Sequence, residues 1–93
     1  MVKHIVLYNL KDGYEKDSTV KFIASTLEPL VGKIPGLLHL EVRRTFQGMD
    51  FALYSEFESR EAMLAYAEHP LHLAAKEQFF HMLDIRYAAD YEC

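Results

Sequence analysis

Apolar and polar residues recur along the chain with two different periods. Residues 2–10, VKHIVLYNL, are rich in β-branched and aromatic side chains and end at a Lys-Asp-Gly turn, which predicts a strand. From residue 16 to residue 31 the apolar positions change to helical spacing. The apolar stripe of this helix consists of Val20, Ile23, Leu27, Leu30 and Val31. We expect Asp17 or Ser18 to cap the helix and Pro29 to end it.

The rest of the chain continues this alternation of strands and helices. Residues 37–46 alternate and predict a strand, and a short turn leads into a partner strand over 51–57, which completes a hairpin. A helix over 60–69 is interrupted by a proline and resumes over 71–83. A final strand is predicted over 85–92. In the second strand, the side chains expected to face the core are Leu38, Leu40 and Val42.

The order β-α-β-β-α-β predicts the ferredoxin-like α+β fold, a four-stranded antiparallel sheet with helices on one face. A chain of 93 residues has the length of a single domain, so we assign residues 1–93 to one unit. Both faces of the first strand are largely apolar, whereas the helices can cover only one face of the sheet. We therefore expect a homodimer in which two sheets pack face to face and form a shared barrel-like core.

Composition excludes several classes of partner. Ten basic against fourteen acidic residues give a net charge of −4 without any basic block, which argues against nucleic acid. No segment approaches the roughly 20 apolar residues of a membrane helix, and the first residues lack a signal-peptide pattern. The only cysteine is Cys93, so no internal disulfide forms and a cytoplasmic localisation is expected. No phosphate-binding loop, nucleophile elbow or dinucleotide fingerprint occurs, and we expect no cofactor.

Candidate chemistry is concentrated in the segment AYAEHPLHL, which places Tyr66, His69 and His72 around one proline. Tyr66 and His69 are three residues apart and lie on related faces of a helix. The proline offsets His72 from that helix and allows it to point back toward the sheet. There, His4 shares a strand face with Tyr8. Histidine titrates near neutral pH, and a phenol can donate a hydrogen bond, so these residues suit acid–base chemistry.

A metal site is a weaker interpretation of the same segment. His69 and His72, with Glu68 beside them, have the residue types of metal ligands. The proline disturbs the helical geometry that a chelating pair requires, no cysteine lies nearby and no HExxH motif occurs. We therefore expect no metal.

Several motifs together resemble one known family. They are VKHIVLYNLKDG at the start, IPGL after the first helix, ALYSEFES before the second, then YAEHPLH and ADYE. In order and spacing they resemble the stress-responsive A/B barrel, or Dabb, domain over nearly the whole chain. The resemblance implies a dimeric α+β barrel. The family includes a plant polyketide cyclase that closes a linear polyketide by an intramolecular aldol reaction without cofactor or metal.

The resemblance to that cyclase implies roles for individual residues. Its strand histidine matches His4, and the tyrosine and second histidine of its Tyr-x-x-His-Pro-x-His motif match Tyr66 and His72. We accordingly expect His72 to act as base, Tyr66 as oxyanion donor and His4 as an orienting partner. Phe51 stands where the cyclase has another pocket histidine. With Tyr8 and His69, Phe51 completes the expected ligand-binding set.

Three functions and one structural interpretation are compatible with the sequence. The leading prediction is a dimeric barrel that binds a small organic ligand between sheet and helices. The alternatives are a cofactor-free lyase or cyclase acting on a polyketide-like carbonyl compound, and, by analogy of fold alone, a cofactor-independent monooxygenase. In the structural interpretation, the His-Pro pair only breaks a helix, with its imidazole capping the next one, and Tyr66 fills the core.

Overall fold

The computed structural model describes residues 1–93 and confirms the predicted order of elements. The strands are β1 (Val2–Leu10), β2 (Leu37–Arg44), β3 (Phe51–Phe57) and β4 (Leu83–Glu92). The helices are α1 (Lys16–Leu27), α2 (Arg60–Glu68) and α3 (Pro70–Glu77), with short 3-10 turns at Glu28–Leu30 and Phe80–Met82. The four strands form one antiparallel sheet in the order β2-β3-β1-β4. This is the ferredoxin-like α+β fold.

The limits of α1 follow from its flanking residues. The carboxylate of Glu15 accepts hydrogen bonds from the backbone N–H groups of Asp17 and Ser18, at 2.8 and 2.9 Å. Glu15 is therefore the N-cap, and the prediction that Asp17 or Ser18 caps the helix is wrong. A glutamate in extended conformation has a side chain long enough to reach the first-turn amides. At the other end the α-helix stops at Leu27, and Pro29 lies in the 3-10 turn that follows. No helix is long and apolar enough to span a membrane.

An irregularity at the start of β2 changes which side chains face the core. The pairing of β2 with β3 shifts register between Leu37 and His39. Because the shift interrupts the alternation, Leu37, Leu40 and Val42 are buried, whereas Leu38 is 44% exposed. The prediction that Leu38 faces the core is therefore wrong.

The hydrophobic core lies between the helices and one face of the sheet. Val2, Val6 and Leu10 of β1 are buried there, against the stripe of α1. That stripe is buried as predicted at Val20, Ile23, Leu27 and Leu30. Val31 lies beyond the end of the helix and is 37% exposed, contrary to the prediction. His4 and Tyr8 lie on the same face of β1 as this core, and they line a space between the sheet and the helices α2 and α3.

The opposite face of the sheet is uncovered in the single chain, and it is apolar over β1 and β4, whereas β2 contributes His39, Glu41 and Arg43 to it. Leu7 of β1 lies beside Tyr87 of β4, and Ile5 lies beside Ala89 and Tyr54. Leu7 and Tyr87 are both exposed, Tyr87 by 65%. A contiguous apolar surface of this kind marks an interaction face in soluble proteins.

Close packing and a side-chain cap fix the position of α2. Gly36, which precedes β2, has φ +83°, and a Cβ built on it would lie 2.5 Å from the Cβ of Ala62. The carbonyl oxygen of Gly36 accepts a hydrogen bond from the N–H of Glu58 at 2.9 Å. The hydroxyl of Ser59 caps α2 by accepting from the N–H of Ala62 at 3.1 Å. These contacts fix the helix that carries Tyr66.

Candidate functional site

A cavity of about 200 Å³ lies between the helix-facing side of the sheet and the helices α2 and α3. Most of its wall is apolar, including Phe57 from β3, Met63 from α2 and Phe79. The polar side chains that line it come from β1, α2, α3 and β4. They are His4, Tyr8, Tyr66, His72, Lys76 and Arg86.

Tyr66 lies near the end of α2 and is only 7% exposed. Its ring packs edge-on against Phe57, with 5.1 Å between the centroids, and lies 4.2 Å from the imidazole centroid of His72. Burial raises the pKa of the Tyr66 phenol well above its ordinary value, and the neighbouring Tyr8 phenol raises it further. The hydroxyl therefore stays protonated and acts as a hydrogen-bond donor.

His72 belongs to the first turn of α3, just after the proline that separates this helix from α2. Its Nδ1 lies 3.3 Å from the carbonyl oxygen of Ala67, so Nδ1–H donates and Nε2 carries the lone pair. Burial lowers the pKa of His72, assisted by the charge of Lys76 and opposed by the hydrogen bond to Ala67. The imidazole is neutral at pH 7 and can accept a proton at Nε2.

His4 reaches the cavity from the central part of the sheet. It pairs with Asp90 in the β1–β4 register, and its Nδ1 is hydrogen-bonded to the Asp90 carboxylate. Its ring stands edge-on to Phe57, with 6.3 Å between the centroids. A carboxylate bound to one imidazole nitrogen fixes the orientation of the ring. Asp90 was not predicted from the sequence, because no local motif links it to a histidine 86 positions earlier.

Two of the expected ligand-binding residues do not line the cavity. Phe51 is completely buried beneath Tyr8, and their rings stack with centroids 5.0 Å apart, so Tyr8 separates Phe51 from the cavity. His69 is the N-cap of α3, and its Nδ1 accepts from the N–H of Leu71 at 3.1 Å. For His69, this is the capping role that the structural interpretation describes. His4, Tyr8, Tyr66 and His72 do meet at the cavity.

Two cationic residues of the wall were missed in the sequence. Lys76 follows His72 by four residues on α3, and this helical spacing could have identified it. Arg86 lies opposite Tyr8 in the β1–β4 pairing, which only the sheet order reveals. The structure contains no group of three or more His, Cys, Asp or Glu side chains that could hold a metal ion.

Taken together, the side chains supply two complementary functions on one apolar wall. The Tyr66 hydroxyl can donate to a ligand oxygen, and Nε2 of His72 can accept from a ligand hydroxyl or remove a proton. The apolar surroundings strengthen such hydrogen bonds by excluding water. The cavity is therefore suited to a small ligand that carries a carbonyl or hydroxyl group.

Comparison with known proteins identifies the family. The model of the stress responsive A/B barrel domain, Dabb, matches residues 2–93. A stress-response A/B barrel domain-containing protein, HS1, from Arabidopsis thaliana is 29% identical over 97 residues, covering 98% of this chain and 88% of its own length. A dimeric protein of unknown function with a ferredoxin-like fold from Bacteroides fragilis is 33% identical with TM-score 0.87, covering 99% of this chain and 95% of its own. The resemblance of the sequence motifs to this family is confirmed.

A more distant structure is a hydroxynitrile lyase from Passiflora edulis. It is 19% identical with TM-score 0.81 and covers 97% of this chain and 90% of its own. At this identity the likeness shows a shared fold alone, so the chemistry of the cavity is argued from its own residues.

Proposed function

This chain belongs to the stress responsive A/B barrel domain family, and we propose that it is a homodimer that binds a small organic ligand in the cavity between sheet and helices. The observation that supports ligand binding is the convergence of His4, Tyr66 and His72 on one largely apolar cavity. An apolar pocket with a few convergent polar groups is the usual form of a small-molecule site. At about 200 Å³, the cavity suits a ligand of one small ring rather than a long chain.

The homodimer is supported by the apolar part of the uncovered face of the sheet, over β1 and β4. Tyr87, Leu7 and Ile85 are exposed on that face, and a second copy of the same face would cover them. The related protein from Bacteroides fragilis is described as dimeric, which supports the same assembly.

Light scattering after size exclusion tests this assembly. A dimer of the 10.8 kDa chain has a mass of 2 × 10.8 kDa, and we expect Tyr87→Lys to halve it. The matched control is Leu64→Lys, because Leu64 on α2 is equally exposed at 65% but lies on the helix layer. A wild-type mass of one chain would refute the dimer, and equal loss of dimer in both variants would refute its placement on the sheet face.

Ligand binding is tested with a neutral probe of suitable size. Acetophenone has one ring and a carbonyl oxygen that can accept from Tyr66. In an NMR titration we expect shift changes at residues around the cavity and weaker binding to Tyr66→Phe, which removes the donor for the carbonyl oxygen. Tyr14→Phe, which changes a phenol that does not line the cavity, should bind as the wild type does. Shift changes scattered over the surface, or binding indifferent to Tyr66→Phe, would contradict the proposal.

The second candidate is a cofactor-free lyase or cyclase of the aldol type. The observation that favours it is the contact between a neutral imidazole and a protonated phenol, with 4.2 Å between the rings of His72 and Tyr66. In this proposal Nε2 of His72 removes a proton from the carbon next to a carbonyl group. The oxygen of the resulting enolate accepts a hydrogen bond from Tyr66, and His4, oriented by Asp90, completes the site.

Hydrogen exchange provides the test of this chemistry. In deuterium oxide, a protein acting in this way accelerates incorporation of deuterium into the methyl group of acetophenone, which NMR detects directly. We expect His72→Ala to abolish the acceleration and Tyr66→Phe to reduce it. His81→Ala, a change at an exposed histidine outside the cavity, should leave it intact. If exchange proceeds equally with His72→Ala, His72 is not the base.

A further inference from the structure

The cavity wall carries two cationic side chains that are not neutralised by a carboxylate. Lys76 reaches the cavity from α3 and Arg86 from β4. The lysines and arginines that form ion pairs with Asp or Glu in this structure are others, namely Lys16, Arg43, Arg44 and Arg60. The Lys76 ammonium instead lies 5.1 Å from the centroid of the Phe80 ring, a contact that leaves its charge available.

No acidic side chain lines the cavity, although the chain has fourteen acidic residues and a net charge of −4. Besides the two cations, its titratable groups are the histidines and tyrosines already described. Asp90 contacts His4 but is not part of the cavity wall. The wall of the cavity itself thus presents only cationic and neutral groups in a protein of net negative charge, which favours a ligand of negative charge.

The two cations lie where the cavity adjoins a second depression. The second depression, of about 300 Å³, shares Tyr8, Lys76 and Arg86 with the cavity. Its other lining residues include one carboxylate and are Lys11, Phe80, His81, Leu83 and Asp84. A group bound between Lys76 and Arg86 would therefore lie at the junction of the two depressions, and the rest of the ligand would extend into the cavity. The cavity has the volume of roughly seven water molecules at about 30 Å³ each, which is enough for one six-membered ring.

We propose that the ligand is a small aromatic carboxylate whose anionic group lies between Lys76 and Arg86. Its ring would enter the cavity and contact Phe57 and Tyr66. The guanidinium of Arg86 can bind both carboxylate oxygens, and Lys76 adds a second positive charge. This inference rests on the proposed ligand-binding function and specifies, in addition, that the ligand is negatively charged.

Benzoate and its neutral isostere benzamide form the matched pair of probes. We expect benzoate to bind the wild type about tenfold more tightly than benzamide, since hydrogen bonds to charged partners are the stronger ones. Lys76→Gln and Arg86→Gln should each weaken benzoate binding about tenfold and leave benzamide unchanged. Lys76→Arg keeps the charge and should retain benzoate binding. Lys33→Gln, at an exposed lysine away from the cavity, is the charge-matched control.

The outcomes separate this inference from the function on which it rests. If benzamide binds as tightly as benzoate and both glutamine variants bind like the wild type, the anionic ligand is refuted and the ligand-binding cavity stands. If benzoate, benzamide and acetophenone all fail to bind, both proposals are refuted. Preference for benzoate that is lost in Lys76→Gln and Arg86→Gln, but kept in Lys33→Gln, supports both.

Discussion

Replacing Gly36 by alanine tests how closely α2 must approach the sheet. The added Cβ would lie 2.5 Å from the Cβ of Ala62, far inside van der Waals contact. Ala62 belongs to α2, so its Cβ cannot rotate away, and relief requires a movement of the helix or of the loop before β2. Gly36 also has φ +83°, a left-handed backbone conformation that alanine adopts only with strain.

The two effects can be estimated separately. The left-handed conformation costs about 1–2 kcal/mol for a residue with a Cβ. Overpacking against Ala62 costs about 1–3 kcal/mol more. Gly36→Ala should therefore lower the free energy of unfolding by about 2–5 kcal/mol. Gly32 has φ +87° and nothing within 4 Å of its added Cβ, so Gly32→Ala carries only the conformational part.

The assay is urea denaturation followed by circular dichroism, at one fixed protein concentration because association changes apparent stability. The difference between Gly36→Ala and Gly32→Ala measures the contact with Ala62. Ala62→Gly alone should destabilise the wild type by about 1 kcal/mol, the cost of glycine in a helix. Combined with Gly36→Ala, it should instead recover stability, because the two changes share one contact.

One pattern of results would refute this reasoning. Suppose that Gly36→Ala and Gly32→Ala lower the free energy of unfolding equally, and that the double variant Gly36→Ala/Ala62→Gly is less stable than Gly36→Ala alone. The contact with Ala62 would then cost nothing, because α2 can shift away from it. Glycine would then be required at position 36 only for its left-handed backbone conformation, and the close approach would not fix the helix that carries Tyr66.

Three further predictions concern the cap of α2 and the pH dependence of stability. Ser59→Ala should lower the free energy of unfolding by about 1 kcal/mol in urea, whereas Ser59→Asp should retain the cap; equal loss in both would contradict its capping role. Burial lowers the pKa of His72 in the folded state, so the free energy of unfolding should fall as pH drops below about 6.5. His72→Asn should reduce this dependence on pH, and an unchanged dependence would show that His72 is not its source. The hydrogen bond from Lys16 lowers the pKa of Asp50 despite its partial burial, and the N–H of Leu10 contributes further. The resulting stabilisation is therefore present above about pH 4 and is lost at lower pH. Asp50→Asn should lose less stability on acidification than the wild type does, and identical acid unfolding of the two proteins would exclude this role of Asp50.

Local periodicity was sufficient to predict the elements and their order, because each strand and helix has a distinct apolar pattern. The prediction from periodicity was wrong where a single residue changes the register of a strand or the cap of a helix. The bulge that exposes Leu38 has no signal in an otherwise regular alternation. The cap at Glu15 was missed because Asp17 and Ser18, which follow it, are stronger capping types on average.

The candidate site was predictable only in part, for a physical reason. Tyr66 and His72 are close in sequence, and one helix break brings their rings together. Asp90 and Arg86 enter the site through the pairing of β1 with β4, which the order of elements alone does not specify. The stacking of Phe51 beneath Tyr8 likewise depends on tertiary packing, since both residues face the helices.

The central position of β1 has a consequence for the order in which the protein folds. Its neighbours β3 and β4 are both distant in sequence, and His4 pairs with a residue 86 positions later. Contacts of such long range close slowly, and during synthesis this pairing must wait until the residues of β4 have been made. The β2–β3 hairpin can form before then, because its strands are neighbours along the chain. The cavity, whose wall includes both β1 and β4, is therefore completed among the last parts of the molecule. Recovery of the proposed ligand binding during refolding would report this late step.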